Sequence, residues 1–147
     1  MTPKLTYDVY IAASPDRVWS ALTDGGLTEQ YFYGTRVKSS FERGAKIDYL
    51  AGEMKMVEGE IVSVKKGKAL VLSQQFLWDD KVKADPASQV SWQLEAAGEA
   101  THLTLVHDGF TAENETFKQS AQGWPVILSG MKTLLETGKP LKLPAMS

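Results

Sequence analysis

The sequence predicts an α+β fold in which a curved antiparallel sheet of about six or seven strands surrounds a long C-terminal helix, with two short helices after the first strand. Two observations predict this fold class. Between residues 36 and 109, short alternating segments follow one another through tight turns, and the chain then ends in a broad apolar stripe at helical spacing. With 147 residues, the chain is expected to form one domain over residues 1–147.

The first strand is predicted over residues 5–12, where apolar and polar side chains alternate. Val9 and Ile11 belong to the apolar row, which we expect to face the long helix. The next residues are typical of a helix start, because Ser14 suits the N-cap and Pro15 suits the first helical position.

A second short helix is predicted over residues 27–32, and a series of strands follows it. Their predicted ranges are 36–41, 45–51, 54–64, 69–78, 88–97 and 101–109. The connections are short and rich in Gly and Asp, which favours antiparallel hairpins over crossover units.

The inward face of the 54–64 strand has two interpretations. Met54 and Met56 favour one parity, whereas Val57 and Ile61 favour the other. A bulge at Gly59 would reconcile them, because glycine within a strand often marks such an irregularity.

The long C-terminal helix is predicted over residues 123–138, with residues 111–122 as a short helix of their own before it. Its apolar stripe consists of Trp124, Leu128, Met131 and Leu135, widened by Ile127 and Leu134. A start near residue 123 would place Pro125 in the first turn, where its missing N–H costs little. Gly138 suits the left-handed position after the last turn.

Composition excludes several classes of function. The net charge of −2 gives no basic surplus for nucleic acid, and the absence of cysteine excludes disulfides and thiolate metal sites. No segment has the length and apolar character of a membrane span or the pattern of a signal peptide, so we expect a cytoplasmic protein. His102 and His107 have opposite parity on one strand, so we expect no metal site and no cofactor.

A single helix cannot fill the interior of a strongly bent sheet, so the fold predicts a cavity between the two. The candidate ligand-binding residues are Phe32, Tyr49, Met56, Gln74, Phe76, Trp78, Trp92, His107, Trp124, Leu128 and Met131. Gln74 and His107 are the polar members of predicted inward rows. Each either orients a ligand in an apolar pocket or bonds to a neighbouring backbone group or a trapped water.

The order and spacing of several motifs resemble a known superfamily. The motifs are SPDRVWSALT at 14–23, GEI at 59–61, THLTLVHDGF at 101–110 and GW at 123–124. Together they are similar to the START-like, or SRPBCC, superfamily with its helix-grip (Bet v 1-like) fold. Within it, residues 5–138 resemble the family of homologues of the activator of heat-shock protein 90 ATPase. This family commonly has a tryptophan at the position of Gln74.

Three functions are compatible with these features. The residues and the resemblance together favour non-catalytic binding of a small hydrophobic, aromatic or lipid-like molecule. The resemblance alone implies a chaperone partner, as in a heat-shock protein 90 co-chaperone, and the chain would be a monomer or a homodimer. An enzyme such as a cyclase, aromatase or hydrolase on a polyketide-like substrate would need His107, or a glutamate such as Glu58 or Glu60, as its base.

Overall fold

A computed structural model describes residues 2–142. The elements in chain order are β1 (Leu5–Ile11), α1 (Pro15–Thr23), α2 (Gly25–Tyr31), β2 (Arg36–Lys38), β3 (Lys46–Ala51), β4 (Met54–Lys65), β5 (Ala69–Phe76), α3 (Asp80–Lys83), β6 (Ser88–Ala97), β7 (Ala100–Asp108) and α4 (Glu115–Thr137). The predicted α+β fold class, an antiparallel sheet on a long C-terminal helix with two short helices after β1, is therefore confirmed.

The sheet has seven strands in the order β1-β7-β6-β5-β4-β3-β2. All of the pairs are antiparallel, and from β2 to β7 each strand pairs with the next one in the sequence. The exception is β1, which pairs with β7, so that the first and last strands lie side by side at one edge. Such a meander presents one continuous concave face to α4.

The predicted inward rows on the central strands are confirmed. The alternately buried residues on β5, β6 and β7 are Leu70, Leu72, Gln74, Phe76, Val90, Trp92, Leu94, Leu103, Leu105 and His107. Trp78 is the exception, because β5 ends at Phe76 and the Trp78 side chain remains 39% exposed. A period-2 pattern extended past the end of the strand accounts for this error.

On β4, Val57 and Ile61 face the core, whereas Met54 is 66% exposed. The β4–β5 pairing keeps one register on both sides of Gly59, and its shift falls between Ile61 and Ser63. The predicted bulge at Gly59 is therefore wrong. A Cβ added at Gly59 would lie 1.8 Å from the backbone oxygen of Ser73, so this glycine permits a close approach of two strands.

The prediction of two helices over 111–138 is wrong, because α4 is continuous. Asn114 caps it by accepting a hydrogen bond from the Phe117 N–H at 2.9 Å, and Gly138 ends it with a left-handed φ of 79°. Pro125 consequently lies inside the helix rather than in its first turn. Its side chain is on the exposed side, where the carbonyl that it leaves unpaired, that of Ala121, can be hydrated.

Replacing Pro125 with alanine is expected to raise the free energy of unfolding by about 1–3 kcal/mol, because it restores a helical N–H and a favourable propensity. The measurement is urea unfolding followed by circular dichroism. Ser129→Ala, at another exposed position of α4, is the matched control, with an expected change of a few tenths of a kcal/mol. Equal effects of the two substitutions would contradict the prediction.

The two short helices close one end of the groove between α4 and the sheet. Ser14 caps α1, as predicted, by accepting from the Arg17 N–H at 3.3 Å, with Pro15 in the first turn. On α2, the Thr28 hydroxyl accepts from the Val37 N–H of β2 at 2.9 Å. A Cβ at Gly130 of α4 would lie 3.2 Å from the Cβ of Tyr31, so a small residue lets α2 and α4 pack closely.

Candidate functional site

A cavity of about 720 Å³ lies between α4 and the β4–β5 part of the sheet. Its lining consists of Phe32, Tyr33, Thr35, Met56, Val57, Gln74, Phe76, Trp78, Glu115, Gln119, Ser120, Gln122, Gly123, Trp124, Val126 and Ile127. The volume lies within the roughly 300–1,000 Å³ that small-molecule sites occupy. The space between the sheet and α4 is therefore large enough for a small-molecule ligand.

Aromatic rings form much of the cavity wall. Phe76 and Trp78 stack with centroids 4.3 Å apart, and Phe32 meets Trp124 edge to face at 5.9 Å. Phe32, Phe76 and Trp124 are buried, whereas Trp78 is 39% and Tyr33 is 53% exposed. The buried rings thus make the floor, and the two exposed aromatics lie where the cavity meets solvent.

Two buried polar side chains face this cavity without a hydrogen-bond partner in the protein. They are Gln74 of β5, which is 1% exposed, and Ser120 of α4, which is 5% exposed. Neither the nitrogen nor the oxygen of the Gln74 amide is bonded, and neither is the Ser120 hydroxyl. An unsatisfied buried polar group costs about 1–3 kcal/mol, so such groups point to a partner supplied from elsewhere.

A polar network ties the Trp78 segment to α4 at the cavity mouth. The Trp78 indole N–H donates to Oε1 of Gln119 at 2.7 Å, and Nε2 of Gln119 donates to Asp79 at 3.2 Å and to Glu115 at 3.1 Å. Hydrogen bonds from the Val82 backbone N–H and from Gln119 hold the pKa of Asp79 below its usual range. The ionised Asp79 carboxylate therefore lies beside this entrance.

His107 lies behind the cavity floor, where both of its ring nitrogens are paired. Nδ1 accepts from the Trp124 indole N–H at 2.9 Å, and Nε2 lies 2.7 Å from the Ser88 hydroxyl. Because an indole N–H can only donate, Nδ1 carries no proton and Nε2 carries the single ring proton. Burial lowers the pKa of His107 to about 3, so the imidazole is neutral. The partners of His107 are thus two side chains, and not the backbone group or trapped water named as the structural alternative above.

Six of the eleven candidate residues line the cavity: Phe32, Met56, Gln74, Phe76, Trp78 and Trp124. The other five are buried in the core outside this lining: Tyr49, Trp92, His107, Leu128 and Met131. Tyr49 stacks on Phe32 at 4.7 Å, and Trp92 packs edge to face on Trp124 at 5.6 Å. Tyr49 and Trp92 thus support the cavity wall from behind two of its rings.

A family model described as "Activator of Hsp90 ATPase homolog 1-like protein" matches residues 12–136, which is most of the chain. The chain belongs to this family. The matched segment contains all of the residues that line the cavity. A search of curated proteins finds no match.

Several solved structures share the fold of this protein. CalU16 from Micromonospora echinospora is 22% identical with a TM-score of 0.74, and the match covers 94% of this chain and 76% of that one. DynU16, "a putative protein in the dynemicin biosynthetic locus", is 27% identical with a TM-score of 0.77, covering 93% and 48%. PFC0360w, "an HSP90 activator from plasmodium falciparum", is 20% identical with a TM-score of 0.73, covering 95% and 99%. This chain thus spans about half the length of DynU16.

The sequence analysis did not predict the polar residues that α4 contributes to the cavity. Glu115, Gln119 and Ser120 lie in residues 111–122, which the sequence predicts as a separate short helix with no assigned inward face. Extending the predicted helix back to Asn114 would have identified them. Ser120 lies four residues before Trp124, so the two side chains are on the same face of the helix.

The acidic side chains and histidines do not gather into a metal site in the part of the chain that the structure describes. Within residues 2–142, no group of three or more His, Cys, Asp or Glu side chains could hold a metal ion. Glu58 and Glu60 lie on the face of β4 opposite the buried Val57 and Ile61. Over the same residues, no helix is both long and apolar enough to cross a membrane.

Proposed function

We propose that this protein binds a small hydrophobic, aromatic or lipid-like molecule, without catalysis, in the cavity between the sheet and α4. The observation that carries this proposal is a mainly apolar cavity of about 720 Å³ that contains two buried polar side chains without protein partners. Sites that bind small molecules combine these features, because apolar walls provide affinity and a few polar groups fix orientation.

The aromatic wall supplies the driving force in this proposal. A ligand that covers Phe76, Trp78 and Phe32 removes apolar surface from water at about 25 cal/mol per Å², before the cost of ordering the ligand. The half-buried Met56 adds an unbranched side chain that adjusts to irregular shapes. His107 lies outside the cavity lining. Among residues 2–142, the ionisable groups in the wall are the Glu115 carboxyl and the Tyr33 phenol, with no histidine or lysine beside them, which favours binding over catalysis.

The likeness to DynU16 adds support, since that protein is described as a putative protein of a biosynthetic locus. Its match covers 93% of this chain at 27% identity.

Trp78→Ala is expected to weaken binding of the neutral dye N-phenyl-1-naphthylamine by about tenfold, because the dye loses one aromatic wall. The measurement is a fluorescence titration of wild type and variant. Tyr10→Ala is the matched control, because Tyr10 is an exposed aromatic residue, at 58%, on the other face of the sheet. Equal dye affinity of wild type and Trp78→Ala would count against this cavity as the binding site.

A second candidate function is binding to a heat-shock protein 90 chaperone. Its support is the family match over residues 12–136 and the likeness to an HSP90 activator, of which the match covers 99%. The test is co-purification with heat-shock protein 90, together with the chaperone's ATPase rate. An unchanged ATPase rate at saturating protein would dismiss this candidate.

A further inference from the structure

We infer that the cavity selects uncharged ligands whose apolar body carries a hydrogen-bonding group, such as a carboxamide or an alcohol, and discriminates against carboxylates of the same shape. This inference rests on the proposed function and specifies its ligand class. It follows from the polar groups on the cavity walls and from the charges around them.

Gln74 defines the polar requirement on the sheet side. Its amide offers a donor and an acceptor, both buried and both unpaired in the protein. A carboxylate can satisfy only the donor, because an ionised carboxyl group is an acceptor alone. A ligand that both donates and accepts, as a carboxamide or a hydroxyl does, can satisfy both halves.

Ser120 makes the corresponding requirement on the helix side. Its hydroxyl is buried and unpaired in the protein, and it faces the cavity from the opposite wall to Gln74. A hydroxyl rotates to donate or to accept, so it adapts to either part of a neutral group. The two side chains therefore favour a polar ligand group without requiring a charged one.

The charges of the cavity act against an anion. Among residues 2–142, no lysine, arginine or histidine lines the cavity, and Glu115 is its one charged lining residue. Asp79, bonded to Gln119 at the mouth, adds a second carboxylate nearby. His107 supplies no positive charge from behind the wall, because its ring is neutral and both its nitrogens are already bonded. A buried carboxylate would lose its hydration without a counter-ion.

The test is displacement of N-phenyl-1-naphthylamine by dodecanamide and by dodecanoic acid at pH 8, where the acid is ionised. In the wild type, the amide is expected to displace the dye at a concentration at least about tenfold lower than the acid. Gln74→Leu should weaken the amide about tenfold while retaining the dye, because a buried pair of hydrogen bonds is lost. Ser120→Ala should weaken amide binding less than Gln74→Leu does.

The matched control is Gln93→Leu, which makes the same change at an exposed position of β6 outside the cavity lining and should leave the amide affinity unaltered. Equal displacement by amide and acid would overturn the inference, as would an amide affinity that survives both Gln74→Leu and Ser120→Ala. In both cases dye binding to the wild type would leave the proposed function standing. Failure of the dye to bind the wild type would overturn the proposed function and the inference with it.

Discussion

Gly59→Ala is expected to destabilise the protein by more than about 4 kcal/mol, enough to unfold a domain of ordinary stability. The added Cβ would lie 1.8 Å from the Ser73 backbone oxygen and 2.7 Å from its carbonyl carbon. Both atoms belong to the backbone of β5, so no side chain can move aside. The two strands would have to separate, and the hydrogen bond from the Glu60 N–H to the Ser73 hydroxyl, now 3.0 Å long, would be lost.

Urea unfolding, or the yield of soluble folded protein, measures this effect. Gly123→Ala is the matched control, because that glycine is helical and a Cβ there would meet nothing closer than the Tyr33 ring at 3.7 Å. It is expected to be neutral, or to stabilise by up to about 1 kcal/mol through helix propensity. A loss below about 1 kcal/mol for Gly59→Ala would show that β4 and β5 do not approach so closely.

Acidification from pH 7 to pH 5 is expected to lower the free energy of unfolding by roughly 2 kcal/mol through His107 alone. Burial lowers its folded-state pKa from 6.5 to about 3. Between these values the unfolded chain binds a proton that the folded protein does not. Stability is therefore complete above the unfolded pKa and decreases as the pH falls through the window, at most by about 1.4 kcal/mol per pH unit.

His107→Phe is expected to flatten this dependence, because phenylalanine does not titrate. The variant also leaves the Trp124 N–H and the Ser88 hydroxyl without their partner, so it should be less stable at pH 7 by about 2–4 kcal/mol. The measurement is urea unfolding of both proteins at pH 5 and pH 7. His102→Phe, at the chain's other histidine, should keep the acid-side loss because His107 remains. A His107→Phe profile as steep as that of the wild type would refute this account.

Most of the fold followed from local pattern, and the errors have identifiable causes. Period-2 alternation placed the strands and the inward rows, because one face of each central strand is buried. The same pattern placed the end of β5 at Trp78 rather than at Phe76. A residue can continue the alternation of apolar and polar side chains without belonging to the strand. Pro125 divided the predicted helix, because sequence reasoning weighs the lost hydrogen bond and cannot see that the position is exposed.

The candidate site was predicted less completely than the fold. Gln74 was identified from a polar residue in an inward row, and it lines the cavity. His107 had the same signature, but its two partners come from Ser88 and Trp124, and no spacing along the chain indicates that they meet it. Which buried polar groups are satisfied depends on long-range packing, so sequence periodicity selects candidates and cannot separate them.

The edge pairing of β1 with β7 has a consequence for how the protein is made. Among the described residues, the strand partner of residues 5–11 is residues 101–107, which are synthesised after all of the other strands. Until β7 is made, β1 lacks this strand partner, whereas β2 to β6 can already pair with one another. Completion of the seven-stranded sheet must then wait for the synthesis of β7, and contacts of such long sequence separation slow folding.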